Sequence, residues 1–278
     1  MAHASPHACR RRGRIFVINY KLITRHLSEK QKSALRKGIK QILSLYPANP
    51  GLRVLAMKHG TDKLTHGYIP KYEQYFAPLR LKQLQILEIG IGGYDDPKAG
   101  GESLRMWKEY FPNSIIYGID IYDKKPHEEK RIRIFQGRQD DPEFLKAVVR
   151  EAASIDIVID DGSHVNEHVI SSFRTLFPLL VNNGIYAIED LHTSYIPKYG
   201  GTTENLDDPA TSLGVLKTFI DGLNYQWLAG REPTYFDHNI LSVHFYPKMA
   251  FIFKGVNQKD PRSPACDHQK HSSWAPEA

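Results

Sequence analysis

The sequence predicts a three-layer α/β/α sandwich built on a mostly parallel, Rossmann-like sheet that ends in an antiparallel hairpin. Three observations carry that fold class. Short apolar runs alternate with helix-period stretches between residues 84 and 188. The first run empties into a glycine-rich turn, Glu88-Ile89-Gly90-Ile91-Gly92-Gly93, and the second ends in an acid, Asp120, about thirty residues on. The last two runs, His238 to Tyr246 and Met249 to Lys254, are separated only by Pro247-Lys248, a hairpin pattern.

Taken in order, residues 1–27 read as a basic, disordered arm, with Arg10, Arg11, Arg12 and Arg14 and no apolar period. Residues 28–80 read as a helical extension followed by a pocket-lining loop. Ser28 with Gln31 has the spacing of an N-terminal cap, Leu35, Ile39, Ile42 and Leu43 fall at helical intervals, and Pro47 and Pro50 end the run. His59 to Tyr72 is rich in turn formers and aromatics, equally consistent with a pocket wall and an ordinary connection. Lys71 to Pro78 reads as a short helix.

Residues 81–255 form the main domain. Its strands are Leu84–Ile89, Ser114–Ile119, Lys130–Phe135, Asp156–Asp160 and Gly184–Ile188, and its helices are Ser103–Phe111, Asp141–Arg150, Val165–Leu180 and a long one over 209–228. The polar, Gly-containing stretch 193–208 falls where a substrate lid would sit. From 256 to 278 the chain is polar and reads as unfolded.

Composition narrows the function. With 41% hydrophobic residues in 278, a large core is attainable. No apolar run reaches the roughly 20 residues of a membrane span, and no leader pattern is read, so a cytoplasmic protein is expected. Cys9 and Cys266 lie in the tails, which argues against a disulfide framework or thiolate metal site. Of the net charge of +6, residues 1–40 contribute eleven Lys or Arg against the single acid Glu29, leaving the rest net negative by about four. The basic character therefore belongs to an arm: a solvated tail, or the handle for an acidic partner, membrane surface or nucleic acid. Nucleic acid is disfavoured, because the folded part has no basic, aromatic-studded groove.

The chemistry is concentrated at two strand tips. Asp156-Ile157-Val158-Ile159 runs into Asp160-Asp161-Gly162-Ser163-His164, and Gly184-Ile185-Tyr186-Ala187-Ile188 runs into Glu189-Asp190-Leu191-His192. In an open parallel sheet ligands bind at the carboxyl ends of strands. If these strands are neighbours, four carboxylates and two histidines meet, which is a hard-cation site with a base beside it. The glycine turn and Asp120 suit an adenosine-containing cofactor. The Glu-x-Gly-x-Gly-Gly turn and terminal hairpin argue against a nicotinamide, and no Tyr-Lys proton relay is found, leaving S-adenosylmethionine as the remaining common choice.

Four segments make this specific: Glu88-Ile89-Gly90-Ile91-Gly92-Gly93-Tyr94-Asp95-Asp96-Pro97, Gly100-Gly101-Glu102-Ser103-Leu104-Arg105-Met106-Trp107, Asp160 to His164, and Ile188 to Tyr195. Together with Gly60-Thr61-Asp62-Lys63, they resemble the metal-dependent sugar O-methyltransferases, which include macrolide, rhamnosyl and mycobacterial polysaccharide enzymes. The resemblance spans roughly residues 58 to 255. It implies that Asp161, Glu189 and Asp190 hold Mg²⁺ and that His164 is the general base. It further implies a cofactor set of Thr61, Lys63, Glu88, Gly90, Gly92, Ser103, Asp120, Gln139 and Asp160, the last at the strand end rather than in the metal set. The acceptor is then a sugar-containing small molecule or oligosaccharide, with a homo-oligomer favoured. Tyr68, Tyr195 and Tyr199 suit stacking on a sugar as well as plain packing, and His192 stands as a possible acceptor contact. Trp107 and Met106 suit a buried helix face.

Overall fold

The computed structural model describes residues 28, 30–34 and 50–258. Its sheet has seven strands: β1 Gln85–Ile89, β2 Ile115–Asp120, β3 Ile132–Gln136, β4 Ile155–Asp160, β5 Leu180–Ile188, β6 Ile240–Tyr246 and β7 Met249–Lys254. They lie in the order β3-β2-β1-β4-β5-β7-β6. The first five are parallel, and β7 runs antiparallel between β5 and β6. Strand order reverses between β1 and β4, the switch point at which open α/β sheets form a crevice.

The central strands are covered on both faces, which explains their near-continuous apolar sequence. Helices α1 (Leu52–His59), α2 (Ile69–Phe76) and α3 (Glu102–Tyr110) pack one face, where Tyr72, Phe76, Trp107, Phe111 and Phe251 form a buried aromatic cluster. Helices α4 (Pro142–Ala152), α5 (Asn166–Leu176), α6 (Ser212–Leu223) and α7 (Tyr235–Asn239) pack the other, around Phe173, Phe177, Tyr186, Phe219 and Phe236. Near the start of β4, Asp156 accepts the Gln85 N–H at 2.8 Å and so ties β4 to the start of β1.

The strand and helix pattern is as expected, apart from several boundaries and two helices, α1 and α7, the latter taking His238 and Asn239 from the expected strand. Helix α1 is not among the expected elements, although Leu52, Leu55 and Ala56 repeat at helical spacing and are fully buried. The helix after β4 stops at Leu176, because Pro178 shapes a 3₁₀ turn at Phe177–Leu179, and β5 then begins at Leu180. The long helix ends at Leu223, where Asn224 leaves helical geometry and its N–H closes on the Asp221 and Gly222 carbonyls. A 3₁₀ turn, Tyr225–Trp227, follows. Near the start, the Gln31 N–H donates to Ser28 Oγ at 3.3 Å and the Ser28 N–H to Gln31 Oε1 at 2.9 Å, the expected reciprocal cap. The expected helical positions Leu35, Ile39, Ile42 and Leu43, the arm and the C-terminal tail from 259 lie outside the described residues. Among the described residues no helix is long and apolar enough to cross a membrane.

Trp107 is fully buried, and its indole N–H has no hydrogen-bond partner. Replacing it with Phe removes that desolvated donor along with some volume, so Trp107→Phe costs less than about 1.5 kcal/mol. Trp107→Ala opens a cavity and costs about 3–5 kcal/mol. Urea unfolding of the two variants checks the difference.

Candidate active site

Three strand exits build the site. Leaving β1, Gly90 adopts φ +88°, and a Cβ placed on it would lie 2.1 Å from the Asp161 carbonyl oxygen. Only glycine lets the exits of β1 and β4 approach this closely. In the β4–β5 register Asp160 faces Ile188, which sets Asp161 beside Glu189 at the next step. Two side-chain-bearing residues here, His164 (φ 58°) and Asp190 (φ 53°), occupy the left-handed region. Such backbone is uncommon outside glycine and concentrates at functional sites.

The adjacent acids Asp160 and Asp161 part company. Asp160 is buried toward α5, where its carboxylate accepts from Ser172 Oγ at 2.6 Å, Tyr186 Oη at 3.2 Å and Gln139 Nε2 at 3.2 Å. Burial raises its pKa against the pull of those donors. Asp161 turns the other way, into the cleft. Its Oδ2 accepts from Lys63 Nζ at 2.5 Å, and its Oδ1 lies 3.9 Å from His164 Nε2. Lys63, 1% exposed, also meets Glu189 Oε1 at 2.7 Å and Glu88 Oε1 at 3.1 Å. Burial opposes its charge, but three carboxylates hold the ammonium well above the ordinary lysine pKa. Those carboxylates outnumber their cation, so burial raises Glu88 and Glu189, the latter further through the Asp161 charge.

Asp190 completes the cluster. The Tyr68 hydroxyl donates to its Oδ1, and its own backbone N–H donates back to the Tyr68 oxygen at 3.3 Å. Its Oδ2 is 3.6 Å from His164 Nε2, and its Oδ1 is 3.8 Å from His192 Nδ1. Burial would raise Asp190, yet the Tyr68 bond and the neighbouring histidines bring it below the usual carboxylate value.

Ligand atoms of Asp161, His164 and Asp190 lie within 4.8 Å of one another. Nearby Glu189 has Oε1 occupied by Lys63 and by the Tyr72 hydroxyl at 2.5 Å, while its Oε2 is buried without a partner. Oxygen donors in surplus over positive charge, one of them orphaned, fit a hard divalent cation.

Beside the cluster lies a cleft of about 730 Å³ at the switch point. Of the expected cofactor set, Thr61, Gly90, Gly92, Ser103, Asp120 and Gln139 line it, together with Asp161 and His164. Asp120 Oδ2 accepts the Ile91 N–H at 2.9 Å, which shapes the glycine turn, and its Oδ1 accepts the Tyr122 N–H at 3.0 Å.

Glu88, Asp160 and Lys63, expected with the cofactor set, do not line the cleft: each is buried, with Glu88 Oε2 accepting from Ser103 at 2.8 Å and Glu88 Oε1 lying 3.1 Å from Lys63 Nζ. For Tyr68, expected either to stack on a sugar or to pack, the burial favours packing: its ring has 0% exposure and its hydroxyl serves Asp190. His192 and Tyr195, by contrast, are exposed beyond β5, and Tyr199 and Lys198 border the cleft from the expected lid segment. Tyr72 was not singled out as a site residue. The signal was its four-residue spacing from Tyr68, which places both hydroxyls on one side of α2, toward the acids.

No protein-family model matches the chain. It is 48% identical over 212 residues to the 8-demethyl-8-alpha-L-rhamnosyl tetracenomycin-C 2'-O-methyltransferase of Streptomyces olivaceus, covering 75% of this chain and 56% of that protein. It is 46% identical over 215 residues to the mycinamicin VI 2''-O-methyltransferase of Micromonospora griseorubida, covering 76% and 54%. Among solved structures, the MycE methyltransferase of the mycinamycin biosynthetic pathway, in complex with Mg, SAH and mycinamycin VI, superposes with a TM-score of 0.74 at 40% identity, over 84% of this chain and 64% of that one. The chain spans about half the length of the curated relatives it matches. Over that shared length it is a homologue of these sugar O-methyltransferases and has their class I methyltransferase fold.

Proposed function

We propose that the chain transfers a methyl group from S-adenosylmethionine to a hydroxyl of a sugar carried on a larger acceptor, with Mg²⁺ held at the tips of β4 and β5. The observation that carries this reading is the convergence of Asp161, His164 and Asp190 within 4.8 Å, with Asp161 and His164 also lining the cleft at the switch point. When bound, Mg²⁺ supplies Lewis acidity that makes a sugar hydroxyl easier to deprotonate, and S-adenosylmethionine supplies an electrophilic methyl on sulfur.

The chain's own residues do the rest. Asp161, Glu189 and Asp190 would hold the ion. His164 takes the hydroxyl proton at Nε2, the atom that faces both Asp161 and Asp190. Those carboxylates then stabilise the imidazolium that forms. The turn of Gly90 and Gly92, with Asp120, Thr61, Ser103 and Gln139, seats the adenosyl and amino-acid parts of the cofactor in the cleft. Glu88 and Asp160 act behind that surface by fixing Ser103, Lys63 and Gln139.

His192 and Tyr195, exposed just past β5, suit contacts to the sugar. The relatives' names include an L-rhamnosyl tetracenomycin and mycinamicin VI, so a deoxyhexose on a polyketide is the acceptor class of choice. A methylation screen of rhamnosylated and other glycosylated polyketides, with unglycosylated cores as controls, tests it; turnover on the bare cores alone would overturn it.

For His164→Ala, kcat falls by about 10²–10⁴ while S-adenosylhomocysteine affinity is retained, as read by methyl-transfer assay and calorimetry. Near wild-type turnover would place the base elsewhere. Chelation with EDTA abolishes turnover, and added Mg²⁺ restores it. Activity that survives exhaustive chelation would remove Asp161, Glu189 and Asp190 from metal binding.

A further inference from the structure

The three acids assigned to the ion share one feature: each has an oxygen tied down from behind by a donor of the segment 63–72. Lys63 Nζ holds Asp161 Oδ2 at 2.5 Å. Lys63 Nζ and the Tyr72 hydroxyl together hold Glu189 Oε1, at 2.7 and 2.5 Å. The Tyr68 hydroxyl holds Asp190 Oδ1. The donors are themselves immobile, because Lys63, Tyr68 and Tyr72 are 0–1% exposed and both rings are packed. The second oxygens are different. Asp161 Oδ1 and Asp190 Oδ2 lie 3.9 and 3.6 Å from His164 Nε2, and Glu189 Oε2 is buried with no partner.

We infer that Lys63, Tyr68 and Tyr72 are positioning residues that set the metal preference of the site, by restricting each carboxylate to one ligating oxygen. This rests on the metal-dependent reading above. Mg²⁺ is small, requires near-octahedral geometry at about 2.0–2.1 Å and accepts single oxygens plus waters. Ca²⁺ takes six to eight oxygens at about 2.3–2.6 Å and gains its extra ligands when carboxylates bind through both oxygens. At Glu189 a two-oxygen grip would displace a charge-assisted hydrogen bond, because Oε1 already accepts from both Lys63 and Tyr72, and at Asp190 it would compete with the Tyr68 hydroxyl for Oδ1. The fold therefore penalises Ca²⁺ without touching the ion itself. Mn²⁺, which accepts the same single-oxygen ligation, should follow Mg²⁺.

The test uses Mn²⁺ as the probe on the full chain. Bound Mn²⁺ is measured by electron paramagnetic resonance, and Mg²⁺ and Ca²⁺ are titrated as competitors, which gives a Mg²⁺-over-Ca²⁺ preference without any turnover. Tyr68→Phe and Tyr72→Phe keep both rings and remove only the hydroxyls. Each is expected to lower that preference by about tenfold, the size of one lost hydrogen bond to a charged group, and the double variant to lower it further. A merely structural role for the tyrosines would weaken both cations together and leave the ratio unchanged, and that result overturns the inference. Thermal melts of each variant verify that the protein measured is folded. If the wild-type chain binds no Mn²⁺ at all, the metal-dependent reading itself fails and the inference goes with it. If Mn²⁺ binds and the ratio does not move in either variant, only the inference is lost.

Discussion

A single buried ammonium holds this site together. Lys63 reaches from the segment before α2 to acids on three different strands, Glu88 of β1, Asp161 just past β4 and Glu189 just past β5. Desolvating an ion costs several kcal/mol even after relaxation, and a buried pair breaks even only when geometry and hydrogen bonds are good. Here they are extensive, since Ser103 donates to the other Glu88 oxygen and Tyr72 donates to Glu189 Oε1 beside the ammonium. Without the ammonium, like charges would crowd adjacent strand tips in a medium of low dielectric. Lys63 therefore lets a parallel sheet end in a cluster of acids that is useful only when crowded.

Two residues of this cluster carry strained backbone. His164 and Asp190 both sit at positive φ, a conformation costing of order 1–3 kcal/mol each for residues that bear a Cβ. At Asp190 the cost is offset locally, because Tyr68 both donates to its side chain and accepts from its backbone N–H. At His164 the turn aims Nε2 between Asp161 and Asp190, a direction that a right-handed continuation into α5 would not supply. The strain thus coincides with the two side chains that face each other across the β4 and β5 exits.

Much of this was legible in the sequence, and the limits are physical. Short apolar runs ending in acids identified β4 and β5, because a fully covered parallel strand leaves little freedom in what it can be made of, while their adjacency, a condition in the sequence, is settled by the β4–β5 pairing. The Ser28–Gln31 cap was legible because capping is a local hydrogen-bond pattern. Lys63, Tyr68 and Tyr72 were read as cofactor, acceptor or loop residues, since nothing local says that a lysine or tyrosine hydroxyl will be spent on a carboxylate more than a hundred residues away. Asp160 and Asp161 illustrate the same limit. Their opposite directions follow from strand alternation, but which of the two meets solvent depends on Ser172 and Tyr186 being beneath one of them. The boundary errors, at Leu176 and Leu223, came from helical periodicity continuing past a point where proline or asparagine ended the hydrogen-bond ladder.

The charge of the cleft bears on which cofactor suits it. Its lining carries Asp62, Glu102, Asp120, Asp140 and Asp161 against Arg138 and Lys198, with Asp140 partly neutralised by Arg138 at 2.6 Å. A dinucleotide would bring a pyrophosphate into that field, and the Coulomb term for like charges in a partly buried crevice is unfavourable by kilocalories rather than tenths. A sulfonium reverses the sign, because a permanently cationic sulfur is attracted to the same walls that repel phosphate. On the proposed reading, the acids that would hold a divalent ion at one end of the cleft also suit a sulfonium along its length, so that one electrostatic field would serve both.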